Sequence, residues 1–237
     1  MYKVCLVAPL LVGLGLIVHA DSTISYSSSV SGTFDFPGSN LYLQQFNPGL
    51  GTLNYITVSL SGSSLTSLSV YNSSSAAYGS PSSLFNDIQV YLGTSAFDTA
   101  LEALNPNAGD FALPNSWLDL TSQRFNIAGL APGNSISGSN LPNTRGSGAL
   151  ASTSPITSGV LFADLQGTGS VPLDVSTLSS VDAAIVGGST LQATEAATGT
   201  VMATVTYDYT IVPEPATFAL LGVGLAAFMV HLRRRPA

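Results

Sequence analysis

The longest regular pattern in the chain is a two-residue alternation around position 205. Val201, Ala203, Val205, Tyr207, Tyr209 and Ile211 share one parity, and Met202, Thr204, Thr206, Asp208 and Thr210 the other. Successive side chains of an extended strand point to opposite faces, whereas no helical stripe collects every second position. The run therefore predicts a strand with one buried and one solvated face. Ile56, Val58 and Leu60, and again Ile88, Val90 and Leu92, repeat the alternation over shorter spans flanked by Gly, Ser, Asn or Asp. Further strands are expected at Thr23–Phe36, Leu41–Gln45, Leu65–Tyr71, Trp117–Ile127, Thr157–Leu165 and Val181–Val186. Ser73–Ser83 and Pro132–Pro155, rich in Ser, Gly, Asn and Pro, read as loops. Phe97, Ala100, Leu101 and Leu104 fall on one helical face before Asn105-Pro106, so a short helical turn is expected there. The set predicts an all-β body over residues 21–212, a Greek-key or jelly-roll-like β-sandwich of one domain. No solenoid or propeller repeat is visible, which counts against a β-helix with regularly spaced threonines.

Both ends of the chain follow a different rule. Lys3 opens a short basic region, Leu6–Val18 form an apolar core, and Val18-His19-Ala20 closes it. This is the pattern of a secretory signal peptide, residues 1–20, with Val18 and Ala20 as the small residues that signal peptidase reads. Cleavage after Ala20 would start the mature chain at Asp21. Cys5 precedes the apolar core rather than following it, so it is not read as a lipid anchor. At the other end, Ala216–Leu232 is a run of seventeen residues without a formal charge. A helix of that length reaches about 26 Å, the short end of a membrane span. Arg233, Arg234 and Arg235 supply the cytoplasmic anchor of the positive-inside rule, and Glu214 lies on the other side. Pro213 and Pro215 exclude helix before the span and leave an extended, protease-accessible segment. Gly222 and Gly224 are two apart and lack the four-residue spacing of a helix-dimer face.

The tail as a whole, Val212-Pro213-Glu214-Pro215, the apolar span, then Arg233–Arg235, resembles the PEP-CTERM sorting tail. That resemblance implies an exported protein held in the inner membrane, body outside and C-terminus cytoplasmic, until an exosortase processes residues 213–237 near Pro213, Glu214 and Pro215. The exosortase and signal peptidase are then its processing partners. A second resemblance lies at Leu43–Leu60, where Phe46-Asn47-Pro48-Gly49-Leu50-Gly51-Thr52-Leu53 precedes an alternating strand. It looks like the signature of choice-of-anchor E proteins, and the tyrosine-bearing strand Val205–Tyr209 is similar to their closing strand. This implies surface anchoring and no particular reaction. Read from the residues alone, Asn47-Pro48-Gly49 makes a turn, and Phe46, Leu50 and Leu53 enter the core.

Charge and composition narrow the function. Between Asp21 and Glu214 all thirteen acidic residues stand against two arginines, Arg124 and Arg145, a net charge of −11. Without a basic patch there is no electrostatic source for nucleic-acid binding or for attachment to anionic lipid. His19, His231, Cys5 and Lys3 all lie in the targeting segments, so the body has no His, Cys or Lys. That excludes Ser-His-Asp and Cys-His nucleophilic sites, zinc sites on His or Cys, Schiff-base lysines and disulfides. No catalytic, cofactor-binding or metal-binding residue is assigned. A paired-carboxylate glycosidase is the main enzymatic possibility left, and it requires two carboxyls about 5–9.5 Å apart in a cleft.

The remaining motifs carry weaker chemistry. Asp98-Thr99-Ala100 departs from the aspartic-peptidase triplet at Ala100, and no second copy occurs. Asn105–Asp110 and Asp35–Asn40 offer oxygen ligands and glycine for calcium, yet without EF-hand spacing, and read first as solvated turns. Gly167-Thr168-Gly169 lacks the helix and lysine of a phosphate cradle. Tyr42, Tyr71, Tyr78, Tyr91 and Trp117 would stack on sugars if exposed, although burial is the commoner fate of such side chains. The expected function is that of an exported, non-catalytic surface or extracellular-matrix protein interacting with exopolysaccharide. The alternatives are a carbohydrate-binding module or carboxylate-dependent glycoside hydrolase and, more weakly, an ice-binding protein marked by a flat Thr-rich face.

Overall fold

A computed structural model of the protein describes residues 21–35, 37–104, 118–120, 122–142, 149–187, 190–211, 222–229 and 231. In chain order the elements are β1 (Asp21–Thr33), β2 (Ser39–Gln44), a 3-10 turn (Pro48–Leu50), β3 (Gly51–Asn72), β4 (Ser83–Leu92), α1 (Ala96–Glu102), β5 (Leu118–Asp119), β6 (Phe125–Asn126), β7 (Ser135–Pro142), β8 (Ala149–Ser152), α2 (Val160–Asp164), β9 (Ser170–Ala184) and β10 (Leu191–Ile211). They form two five-stranded sheets. The first runs β1-β10-β3-β7 with β8 also on β3, and the second runs β2-β9-β4-β5 with β6 also on β4. All pairings between named strands are antiparallel.

The alternation legible at Val201–Ile211 is half of a longer object. β10 pairs with β3 over its whole length, from Leu191 opposite Asn72 to Ile211 opposite Gly51. The strand expected around Ile56–Leu60 and the one expected at Leu65–Tyr71 are a single strand, β3, of 22 residues. Ile56, Val58 and Leu60 of β3 and Val201, Ala203, Val205 and Tyr207 of β10 are buried and meet Leu41, Leu43, Ile88, Val90, Leu173 and Val175 from the second sheet in one core. A smaller cluster gathers Leu68, Val70, Tyr78, Leu84 and Ile127 at the other end. Between them the inward positions turn polar: Ser64, Thr66, Asn86 and Ser122 are buried. The Asn86 amide donates to Thr66 Oγ1 at 3.3 Å, its backbone N–H donates to Ser122 Oγ at 2.9 Å, and Ser64 Oγ donates to the Leu120 carbonyl at 3.5 Å.

Tyr207 joins the two sheets chemically as well as by packing. Its phenol donates to the Gln44 carbonyl at 2.6 Å, and its ring lies 5.6 Å from Phe46 and 6.3 Å from Tyr26. Burial, reinforced by Tyr26, pushes its ionisation far above the ordinary tyrosine range, so the phenol is a permanent donor. Gly199 makes room for a separate packing contact. A Cβ there would meet the Ser63 carbonyl oxygen at 2.0 Å and the Phe34 ring at 2.5 Å, so only glycine admits Phe34 against the ladder.

Several sequence expectations are corrected. Thr157–Leu165 is not a strand, because Val160–Asp164 form α2 and place Leu161 and Leu165, four apart, on one buried side. Gly159, at φ 93, turns the chain into it. Pro132–Pro155 is not one loop: it contains β7, whose residues are mostly exposed, and β8, both on β3. Among the described residues of Trp117–Ile127, the strands are the two-residue β5 and β6. Val181–Val186 is the end of β9, which begins at Ser170 and stops at Ala184. The helical turn expected at Phe97–Leu104 is present as α1, with Ser95 and Asp98 forming a reciprocal capping box. Leu50 does not enter the core, being 38% exposed on the 3-10 turn, whereas Phe46 is buried and Asn47 Oδ1 accepts from Gly49 N–H as a turn residue should.

These contacts rank three substitutions. Leu60→Ala should destabilise the fold by about 2–5 kcal/mol by opening a cavity in the main core. Tyr207→Phe should cost about 1–2 kcal/mol by leaving the Gln44 carbonyl without its donor. Thr204→Ala, on the solvated face, should stay within about 0.5 kcal/mol of the parent. Urea unfolding monitored by circular dichroism checks the order.

Candidate functional site

The outward parity of the first sheet is as regular as the inward one. Ser25, Thr206 and Thr57 lie side by side across β1, β10 and β3, followed by Ser27, Thr204 and Ser59, then Ser29, Met202 and Ser61, then Ser31, Thr200 and Ser63. Every position in these four rows except Met202 bears a hydroxyl, and none is charged. Strand geometry spaces them by about 4.8 Å across the sheet and about 6.7 Å along each strand. Ser25 and Thr206 share a hydrogen bond of 2.8 Å, Ser27 and Thr204 one of 2.8 Å, and Ser31 and Thr200 one of 2.7 Å. Each such pair spends one donor and one lone pair, leaving a donor and three lone pairs for a ligand or water.

At its far end the face dips. The β3–β7 register shifts between Thr66 and Leu68. A shallow cavity of about 270 Å³ lies there, lined by Ser67, Ser69, Ser137, Ser139, Thr194 and Glu195 among others. Tyr71, 40% exposed, follows Ser69 on the same outward parity, opposite Gln192 and Ser135. The other tyrosines do not gather there. Tyr42 is 58% exposed on the second sheet, Tyr78 is buried with its phenol donating to the Thr190 carbonyl at 2.8 Å, and Tyr91 is half-buried. Trp117 lies outside the described residues.

Among the described residues the carboxylates are placed singly or in pairs. Asp35 and Glu195 converge on Ser179, whose Oγ lies 2.8 Å from Asp35 Oδ1 and Oδ2 and 2.7 Å from Glu195 Oε1. The Ser179 backbone N–H also donates to Asp35 Oδ1 at 2.6 Å, and Thr177 Oγ1 accepts from the Asp35 backbone N–H at 3.0 Å. The gap between these two carboxyls is filled by a serine side chain. Burial raises the Glu195 pKa above 4.5, the Ser179 hydrogen bond opposes the rise, and the charge of Asp35 adds to it. Asp98 and Asp174 form a second pair at the β4–α1 turn. A larger cavity of about 390 Å³ between α1 and α2, lined by Ala100, Leu104, Pro155, Ile156, Val160 and Leu161 among others, has no carboxylate in its wall. Of the calcium-loop candidates, Asp35 is thus engaged with Ser179, whereas Asn105–Asp110 lie outside the described residues. No group of three or more His, Cys, Asp or Glu that could hold a metal occurs among the described residues.

The sorting and processing residues, Val18, Ala20, Pro213, Glu214, Pro215, Arg233, Arg234 and Arg235, lie outside the described residues. Among those described, no helix is long and apolar enough to cross a membrane. Within the expected span 216–232, residues 222–229 are helical and all exposed, Val223, Leu225, Phe228 and Met229 among them.

Residues 212–235 match the PEP-CTERM protein-sorting motif. The motif implies export, membrane anchoring before processing, and an exosortase as processing partner. No curated protein matches the chain. Two solved structures with some similarity are viral. One is the infectious bursal virus derived T=1 particle, at 10% identity over 83% of this chain and 41% of that chain, with TM-score 0.21. The other is turnip yellow mosaic virus, at 11% identity over 84% of this chain and 98% of that chain, with TM-score 0.20. The chain spans less than half of the first of these, and similarities of this size carry no argument about fold or function.

The shared Ser179 makes a pH prediction. Between 4.5 and the raised value, the folded state holds a proton on Glu195 that the unfolded state has lost. Its contribution is therefore full below 4.5 and declines as pH rises through the folded pKa. Thermal melts between pH 4 and pH 7 should show wild type losing stability relative to Glu195→Gln as pH increases. A constant difference would contradict the assignment.

Proposed function

We propose that the protein is an exported, non-catalytic surface or extracellular-matrix protein. Signal peptidase releases residues 1–20, residues 216–232 hold the chain in the inner membrane, and an exosortase processes it near Pro213–Pro215. The body, a β-sandwich of Greek-key or jelly-roll type, then engages neutral exopolysaccharide through the outer face of its β1-β10-β3 sheet. The observation that carries this reading is the uncharged hydroxyl array, joined at its far end to a hydroxyl-lined depression and the exposed Tyr71. Hydroxyl rows offer donors and acceptors to sugar hydroxyls, and an exposed aromatic ring offers a stacking platform. The array sits on a strongly acidic body, which repels anionic polymers and leaves neutral ones as ligands. The apolar, exposed residues 222–229 support a lipid-facing role for the tail. The segment Phe46–Leu53 supports a choice-of-anchor E kinship for the body. The serine between Asp35 and Glu195 leaves no room there for the water or sugar oxygen that glycoside hydrolysis requires.

A second reading is favoured by one feature of the same face. Thr198, Thr200, Thr204 and Thr206 recur at every second residue along β10, interrupted only by Met202, and with Ser neighbours they make a regular face suited to ordering water at an ice surface. Recrystallisation assays in frozen sucrose separate the two readings, because polysaccharide binding predicts no inhibition of grain growth.

Two measurements test the proposal. Intact-mass analysis of culture medium should find a chain starting at Asp21 and ending near Pro213–Pro215, absent when the exosortase is disabled. A full-length form retained in the membrane of both strains would overturn the sorting step. Co-sedimentation with the host's purified exopolysaccharide should weaken about tenfold or more in a Thr200→Arg/Thr204→Arg variant, and by a comparable factor in Tyr71→Ala. Surface exchanges of this kind leave stability within about 1 kcal/mol, so lost binding would be a surface effect.

A further inference from the structure

We propose that the open edge of β1 docks a second copy of this chain, the two β1 strands pairing antiparallel about Ser27 so that the first sheets of both copies run on as one. β1 is the end strand of its sheet and pairs with β10. Phe34 N–H donates to the Ala197 carbonyl at 2.9 Å, one step beyond Thr33 opposite Thr198 in the same register. Backbone groups of an antiparallel strand point to alternate sides residue by residue, so even-numbered residues of β1 face β10 and odd-numbered ones face away. Thr23, Ser25, Ser27, Ser29 and Ser31 therefore present their N–H and C=O groups along the open edge, and all five residues are exposed.

Among the described strands the other edges are blunted, and this one is not. On β2 the Tyr42 N–H donates to Ser28 Oγ at 3.0 Å, and the Gln44 carbonyl accepts from the Tyr207 phenol at 2.6 Å, so that edge is tied to the first sheet. β7 carries a register shift, Asn140 at φ 55 and Pro142. β5 and β6 have two residues each. β1 runs 13 residues against β10 without a shift, and from Ser22 to Thr33 it holds no proline and no charge. A long, straight edge is a template for another strand unless a charge, a proline or a bulge interrupts it.

The sequence of the strand identifies the occupant. Centred on Ser27, the antiparallel register overlaps all of β1 and sets Ser25 opposite Ser29, Thr23 opposite Ser31 and Ile24 opposite Val30. Hydroxyls thus meet hydroxyls on the outer face, and apolar side chains meet on the inner one, where Ile24 and Val30 already pack against the core. Thr23–Ser31 of the two strands would exchange about ten backbone hydrogen bonds, the number a standard protein–protein interface carries. Charge agrees with this. The acidic body repels its own copies elsewhere. The single carboxylate of β1, Asp21, falls opposite Thr33, about 40 Å from the same residue of the second copy. Pairing of one edge with itself closes at two copies and leaves no open β1 behind. It concerns the edge, and stands whether or not the outer face binds polysaccharide.

Thiol cross-linking of the full-length chain in detergent tests this, in a Cys5→Ser background that leaves no other thiol. Ser27→Cys should be joined into dimers by a short bis-methanethiosulfonate reagent. Ser29→Cys alone should not, because its two copies would stand about 13 Å apart along the strands, whereas co-expression of Ser29→Cys with Ser25→Cys should restore linking. Sedimentation velocity reads the same contact. Ser27→Pro removes an edge N–H and no bond to β10, and Ser27→Lys sets two ammonium groups face to face. Each should move the monomer–dimer midpoint tenfold or more towards higher concentration, with an unchanged circular dichroism spectrum. Equal linking at Ser27 and Ser29, as association through the tail alone would give, would overturn the pairing. A monomeric wild type would overturn it too, and would leave the edge to an extended segment of another protein.

Discussion

The β3–β10 ladder is the constraint on which the rest depends. Twenty-one consecutive residues of β10 find partners on β3, with one irregularity between Asp208 and Tyr209 where Asn54 is the extra residue. Because side chains alternate with a period of two, a one-residue slip anywhere else would exchange the two faces. Val201, Ala203, Val205 and Tyr207 would meet water and Thr200, Thr204 and Thr206 would enter the core. The same register thus fixes the hydrophobic core and the hydroxyl face. Even the bulge serves it: Asn54 turns its amide to Asp208 Oδ1 at 2.8 Å and to Thr210 Oγ1 at 3.1 Å, closing the ladder's end with side-chain hydrogen bonds.

The ladder alone does not hold the second sheet in place. Hydrophobic packing is non-directional and tolerates sliding of one sheet over another. The buried polar belt of Ser64, Thr66, Asn86 and Ser122 is directional, because its partners are met in one alignment only. Tyr207 to Gln44 plays the same part at the main core. A belt of this kind gives up some apolar burial, and Asn86 Oδ1 remains without a partner. In a body without cysteine, where no disulfide can fix the sheets, directional contacts in the interior take over that role.

The sequence was readable wherever one parity was apolar and the other polar. Ile56–Leu60, Ile88–Leu92 and Val201–Ile211 meet that condition, and so does the helical spacing of Phe97, Leu101 and Leu104. It was unreadable where the inward parity itself is small or polar. Gly62, Ser64 and Thr66 face inward and conceal the continuity of β3, and Ala193, Glu195, Ala197 and Gly199 conceal the first half of β10. β7, Ser135–Pro142, was hidden by a run of Ser, Gly, Asn and Pro that looks like a loop, and β8 by its four-residue length. The hydroxyl face was invisible for a different reason. Serines 25–31 are unremarkable along the chain and become a surface only when β10 and β3 are laid beside them. The Asp98–Asp174 and Asp35–Glu195 pairs likewise join residues far apart in sequence, which no local spacing rule reaches. The sorting tail was legible because its signal is compositional and local.

The distribution of charge over this architecture decides what kind of partner it accepts. A body with twelve carboxylates and two arginines between Asp21 and Val212 carries a field that repels anions. Yet the four hydroxyl rows contain no charge, and Asp21 and Asp208 lie at one end of the sheet, engaged through Thr210 and Asn54. A neutral patch in a negative field attracts no ligand over distance. Under the proposed function, contact would come from many short hydrogen bonds made in register, which a repetitive neutral polymer provides and a compact charged metabolite does not. Binding of that kind would take its strength from repetition along the polymer rather than from any single contact.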